Sequence, residues 1–340
     1  MKKGTAAMLM LFGAALILDS RCAAEAARDA LSLCARTLVP SLFPLFVISG
    51  MLVHDLQRFR MPPLSRLLGV PDGGEGIWVL GLLGGFPVGA AAISQAVEQG
   101  SLSKKDGERM LGLCSLCGPP FLLGVLPGFL PMSQVMYLFV LQLQTSLLMA
   151  AFWPGKSTAR LSPTVNSVTL PSAVRRAVDS VLTVCAWVVL AGVVTGLLRR
   201  WLFPLLPDFL GILLTGFLEL TTGIFALPER GRFLLCTLFV CFGGISVLLQ
   251  IGGLASAAGL SMKTCIAQKS LQGLLGCLLA WLCRYFGPCA LLFIPTVLLI
   301  KITVEIPGKM MYNVRERKGS PCCFVKRSSA PASTAATARP

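Results

Sequence analysis

Leu82-Leu83-Gly84-Gly85-Phe86-Pro87-Val88-Gly89-Ala90 and Gly216-Phe217-Leu218-Glu219-Leu220-Thr221-Thr222-Gly223 are glycine-broken apolar stretches at matching places in the two halves of one chain. Each is followed by a second interruption, Cys117-Gly118-Pro119-Pro120 in the first half and Phe242-Gly243-Gly244-Ile245-Ser246 in the second. A bilayer admits irregular backbone only where protein or a watery cavity takes up the freed N–H and C=O groups. A repeated pair of interrupted segments therefore points to a binding site at mid-membrane, of the kind secondary transporters carry.

The rest of the chain fits that setting. Its 340 residues are 55% hydrophobic and 13% charged, with a mean hydropathy of +0.77. This is the composition of a polytopic membrane protein, not of a soluble domain with an anchor. The formal net charge of +15 would suggest nucleic acid in a soluble protein. Here the basic residues lie in short loops and in the tail, so they read as orientation signals and lipid-headgroup contacts. No basic patch is interleaved with aromatic residues, and nucleic-acid binding is not expected. The 13 cysteines are scattered through apolar segments and read as small hydrophobes rather than a disulfide framework. Cys114-Ser115-Leu116-Cys117 matches C-x-x-C, yet it has no second pair and the single histidine, His54, is distant in sequence. Packing is the better reading, and neither a metal site nor a cofactor is expected.

Apolar stretches run over 5–18, 38–54, 77–98, 111–128, 132–153, 177–198, 208–227, 231–251, 264–286 and 288–306. The first follows Met1-Lys2-Lys3 and resembles a signal peptide; with so many spans after it, an uncleaved helix is the simpler expectation. If every stretch crossed the bilayer, the loops with Lys104, Lys105 and Arg109 and with Lys156, Arg160, Arg175 and Arg176 would lie outside, against the positive-inside rule. Letting 77–98 and 208–227 dip in and return moves both loops inside. About eight crossings remain, both termini are cytoplasmic, and only Arg199, Arg200, Arg230 and Arg232 stay outside. The first hairpin then enters from the cytoplasm and the second from the opposite side, which makes the halves inverted repeats. The expected fold is an all-α polytopic membrane protein. Its parts are an N-terminal helix and loop (1–27), a first repeat (28–153), a linker (154–174), a second repeat (175–306) and a basic, disordered tail (307–340).

Glu219 is the sharpest candidate for a binding residue, because a carboxylate inside an apolar stretch is costly unless paired or facing water. With Thr221 and Thr222 after it, it marks a hairpin tip that binds a cation or a ligand hydroxyl, or else a structural cap. Gly85, Phe86, Pro87 and Gly89 offer flexible backbone and a locked φ angle, for a turn lining a cavity or for close helix packing. The Cys117–Pro120 interruption frees carbonyls that can coordinate a cation. Gly243, Gly244 and Ser246 either do the same or let helices approach closely. Gln250, on the face of Ser246, bonds a polar ligand or joins two helices. Gln95, Glu98, Gln142 and Gln144 are weaker candidates, and Asp179 reads as interfacial.

Catalysis is not expected. One histidine cannot build a metal cluster, few acids lie in the spans, and Gly155-Lys156-Ser157 lacks the first glycine of a P-loop, with Ala150 in its place.

Several of these motifs resemble those of the YlbJ-type sporulation integral membrane proteins. They are Pro40-Ser41-Leu42-Phe43-Pro44-Leu45-Phe46, Gly85 to Ala90 with Gly100-Ser101-Leu102-Ser103, Leu218 to Gly223, and Phe242 to Val247 with Gln250. The likeness spans roughly residues 28–300 and keeps the motif order. That family is placed in the nucleoside-recognition, or gate, superfamily, distantly similar to concentrative nucleoside transporters with paired hairpins. The resemblance implies two gate-type repeats in the cell membrane of an endospore former, and a role in building the spore cortex. One departure is Cys114-Ser115-Leu116-Cys117, where similar proteins carry an Asn-containing stretch. The expectation is a membrane transporter or permease. It would act on a small polar solute, with a coupling ion and self-association left open. The alternative is a non-transporting scaffold for spore-envelope assembly.

Overall fold

The computed structural model describes residues 3–58, 60–155, 161, 169–229 and 231–286. The expected stretch 288–306, the tail 307–340, most of the linker and the side chain of His54 lie outside the described residues. Every regular element among the described residues is helical.

Two helices, α1 (Lys3–Leu18) and α2 (Ser20–Leu33), precede the first half, and α2 runs almost without interruption into α3 (Val39–Arg58). Between them Cys34–Leu38 widens into a π turn, with the Val39 N–H bonded back to the Cys34 carbonyl. Pro40 has no N–H to donate and its ring crowds the carbonyl four residues earlier, so a wider turn relieves the clash.

From α3 the chain passes through α4 (Pro62–Leu68) to a pair of helices, α5 (Gly74–Gly84) and α6 (Phe86–Glu98). A second pair, α7 (Lys104–Cys114) and α8 (Pro119–Gly124), leads to the long α9 (Met132–Phe152). The second half has a similar order of elements, without a counterpart of α4. The long α10 (Leu170–Trp201) leads to α11 (Asp208–Leu218) and α12 (Leu220–Phe225), then α13 (Arg232–Phe242) and α14 (Gly244–Ala257), then the long α15 (Lys263–Phe286). The halves interlock: α3 packs on α10, α9 and α7 pack on α15, and α6 packs on α14.

Five of the described helical segments are long and apolar enough to cross a membrane: Ser20–Leu52, Met132–Phe152, Leu170–Trp201, Arg232–Ala257 and Lys263–Arg284. The expected stretch 111–128 is not among them. It contains the end of α7, the non-helical Ser115–Gly118, the short α8 and a 3-10 turn at Leu126–Gly128. Helix α7 starts earlier, at Lys104, where Ser103 caps it by accepting the Asp106 N–H at 3.1 Å. The hairpin arms α5 and α11 have 11 residues each, about 16 Å of helix at roughly 1.5 Å per residue. That is about half of the roughly 30 Å hydrocarbon core. Exposed apolar side chains such as Met10, Leu182, Leu249 and Leu274 have a natural partner in lipid.

Arg109, read from sequence as a loop charge, is 8% exposed. Its guanidinium donates to the carbonyls of Leu68 at 3.2 Å and Trp153 at 3.0 Å, and to that of Gly69. It thereby fastens the ends of α4 and α9 to α7. Removing it orphans buried carbonyls at about 1–3 kcal/mol each. Arg109→Ala is therefore expected to lower the thermal midpoint of the purified protein by several degrees, and Arg109→Lys to recover only part of that loss because an ammonium lacks the planar fork.

Candidate functional site

Both expected hairpins have their break at the tip, but they make the turn by different chemistry. Between α5 and α6 the chain turns at Gly85, with φ +84° and ψ −173°, a conformation that side-chain-bearing residues rarely adopt. Pro87 follows in the first turn of α6, where its missing N–H costs nothing. Between α11 and α12 the turn is made at Glu219 in extended backbone, φ −143° and ψ 120°. Its carboxyl group caps α12: Oε1 accepts the Thr221 N–H at 3.0 Å, and Oε2 accepts the Thr222 N–H at 2.6 Å and the Thr222 hydroxyl at 2.7 Å. Glu219 is 2% exposed.

The arms of each hairpin touch through glycine. A Cβ on Gly89 would stand 3.1 Å from Gly81 Cα and 2.3 Å from the Cys114 carbonyl oxygen, and one on Gly223 would stand 2.2 Å from Gly216 Cα. Gly89 is thus a packing residue behind the turn.

The break between α7 and α8 is satisfied from other helices. At Ser115–Gly118 the Gln142 side chain accepts the Cys117 N–H at 3.2 Å and donates to the Cys117 carbonyl at 2.7 Å. Ser146 donates to the Leu113 carbonyl at 3.1 Å and accepts from the Trp78 indole N–H at 3.0 Å. Lys269 Nζ donates to the Ser115 carbonyl at 3.0 Å. Cys114 and Cys117 are buried free thiols in this break. In the other half Gly243 and Gly244 turn with φ +94° and +82°. The Phe86 ring packs on Gly243, where a Cβ would meet it at 3.2 Å.

These four interruptions converge on one cavity of about 60 Å³. Gly85, Phe86 and Pro87 reach it from the first hairpin, Cys117 and Gly118 from the first break, Glu219 and Thr221 from the second hairpin, and Ser246 and Gln250 from α14 just beyond the second break. Leu38, Phe46, Val184 and Val188 supply an apolar wall. Ser246 is 2% exposed and its hydroxyl is a buried polar group without a hydrogen-bond partner. A volume of this size admits a few water molecules or a small ion, since one water needs about 10–15 Å³. It is well below the roughly 300 Å³ at which organic-ligand pockets begin. A larger open cleft of about 1280 Å³, between the starts of α9 and α13 and the end of α15, carries none of the sequence-predicted residues.

Of those residues, the cavity gathers Gly85, Phe86, Pro87, Glu219, Thr221, Ser246 and Gln250. Thr222 serves the Glu219 cap, and Gly89, Gly243 and Gly244 shape the backbone behind the wall. Gln95 is half-buried and Glu98 exposed, both off the cavity. Lys269 was missed, although a lysine inside the apolar stretch 264–286 is itself a signal of function.

The chain is similar to the sporulation integral membrane protein YlbJ of Bacillus subtilis (strain 168), at 23% identity over 79% of each chain. No family model and no solved structure matches it. The similarity agrees with the likeness carried by the Pro40–Phe46, Gly85–Ala90 and Leu218–Gly223 motifs. Together with the apolar helices it marks an integral membrane protein.

Proposed function

We propose that this protein is a gate-type membrane carrier, which binds and moves a small polar solute or ion at the centre of the bilayer and serves spore cortex formation. One observation carries the reading: four helix breaks, two from each half, meet at a single cavity that holds Glu219, Ser246 and Gln250. The recurring succession of elements and the half-length arms of α5 and α11 support two re-entrant hairpins in inverted repeats. The basic residues Lys104, Lys105, Arg175 and Arg176 support a cytoplasmic side for the loops before α7 and α10, with both termini on that side. In the conformation seen, the cavity is closed to anything of nucleoside size. A solute larger than a few waters therefore enters only when the hairpins part from α14 and α3.

Thermal unfolding of the purified protein with nucleosides, cell-wall precursors, and monovalent and divalent ions tests this. One class is expected to raise the midpoint in a saturable way, as a ligand that binds only the folded state must. The rise should disappear in Glu219→Gln and weaken in Ser246→Ala. A flat response to every class would defeat the reading.

The complete capping of Glu219 within its own hairpin favours a second reading, a non-transporting scaffold. Sporulation of cells expressing Glu219→Gln, at folded-protein levels matched to wild type, separates the two. A carrier loses function and a scaffold keeps it.

A further inference from the structure

Lys269 lies within α15, 1% exposed, with Nζ donating to the Ser115 carbonyl at 3.0 Å and to Gln272 Oε1 at 2.8 Å. The same nitrogen stands 5.3 Å from the centroid of the Phe86 ring, within cation–π range. No carboxylate among the described residues pairs with it. The titratable groups near it are the thiols of Cys117, Cys241 and Cys265. Its bonded neighbours are thus acceptors and a π face, the surroundings of a donor-only cation.

Each neighbour belongs to the machinery of the breaks. Ser115 lies in the first interruption, and its carbonyl lacks a helical donor because the residue four positions on is Pro119. Phe86 opens α6, lines the cavity and packs on Gly243 of the other interruption. Freed carbonyls at a helix break are the groups that carriers use to hold an exchangeable cation. Here the place on Ser115 is taken by an ammonium tethered to α15.

We propose that Lys269 is a resident cation. Its ammonium fills the carbonyl site of the Ser115–Gly118 interruption and ties α15 to the first hairpin through Phe86, so this break takes no exchangeable metal ion. Lys269 is then a positioning residue for the cavity wall, and any coupling metal ion binds elsewhere. The proposal takes from the carrier reading only that the break lies at membrane depth. The Glu219-dependent ligand response tests that reading separately.

The experiment is thermal unfolding of the full chain in lipid nanodiscs, comparing wild type, Lys269→Ala and Lys269→Met. Lys269→Ala is expected to lose roughly 5 °C or more. It should regain most of this with millimolar propylammonium chloride, whose amine replaces the missing end, and nothing with propanol, which fills the space without the charge. Lys269→Met should remain low, because it restores bulk but no donor. A Lys269→Met midpoint equal to wild type, or a Lys269→Ala midpoint indifferent to propylammonium, would overturn the proposal. If Lys269→Ala does not fold, Gln272→Glu decides. Beside an ammonium the new carboxylate keeps or raises the midpoint; beside a group that carries no charge it is a lone buried acid and the midpoint falls.

Discussion

Glu219→Ala is expected to destabilise the protein by at least about 1–3 kcal/mol, since it strips the partner from one buried N–H group and from a second that is partly buried. Those groups are the first-turn donors of α12, Thr221 N and Thr222 N, and the Thr222 hydroxyl loses its acceptor with them. Helix α12 has only six residues, too short to hold its shape without such a cap. Glu219→Gln should fall between wild type and alanine. Its amide oxygen still accepts one N–H, while its NH2 group faces the Thr222 N–H as donor against donor. The measurement is the thermal midpoint of purified protein without added solute. An alanine variant within about 1 °C of wild type would show that the cap does not hold the hairpin. The same geometry explains why any functional test at Glu219 has to be normalised to folded protein: the candidate ligand-binding group also shapes the tip.

Gly223→Ala should cost at least the upper end of the roughly 1–3 kcal/mol typical of overpacking. The added Cβ would lie 2.2 Å from Gly216 Cα and 2.8 Å from Gly216 N. Both are backbone atoms, which cannot swing aside, so the arms of the second hairpin must separate. Gly216 has little room to retreat, because a Cβ there would already meet the Phe239 ring at 2.2 Å. Gly253→Ala is the control. It sits in α14 with nothing within 4 Å of its Cβ, and alanine there should be neutral or gain up to about 1 kcal/mol of helix propensity. Monodisperse yield and midpoint after purification compare the two, and equal behaviour would refute the close crossing.

The motifs that announced the hairpins were legible because a helix break is a local event. Gly85 with Pro87, Gly243 with Gly244, and Pro119 with Pro120 end helices through φ angles and missing N–H groups, whatever packs around them. Glu219 was legible as a binding residue or else a cap, and the cap's partners are the next residues in sequence. The reach of individual helices was less so. Residues 111–128 read as one crossing interrupted at Cys117–Pro120, yet hydropathy cannot see that the break leaves no segment there long enough to span. The role of Arg109 was also hidden: its charge marks a loop in sequence, while its carbonyl partners come from α4 and from the end of α9.

From sequence alone come the membrane setting, the all-helical class, the places where helices stop inside apolar runs, and the unusual acid at one of them. Each follows from composition or from neighbours within one turn. Tertiary structure alone decided what satisfies the freed backbone. The Ser115 carbonyl takes its donor from Lys269, 154 positions away, and Cys117 is answered by Gln142, 25 positions away. It also decided that the four interruptions close on a space of about 60 Å³. Which helix supplies a missing partner depends on how distant faces pack, and no short window of residues contains that choice.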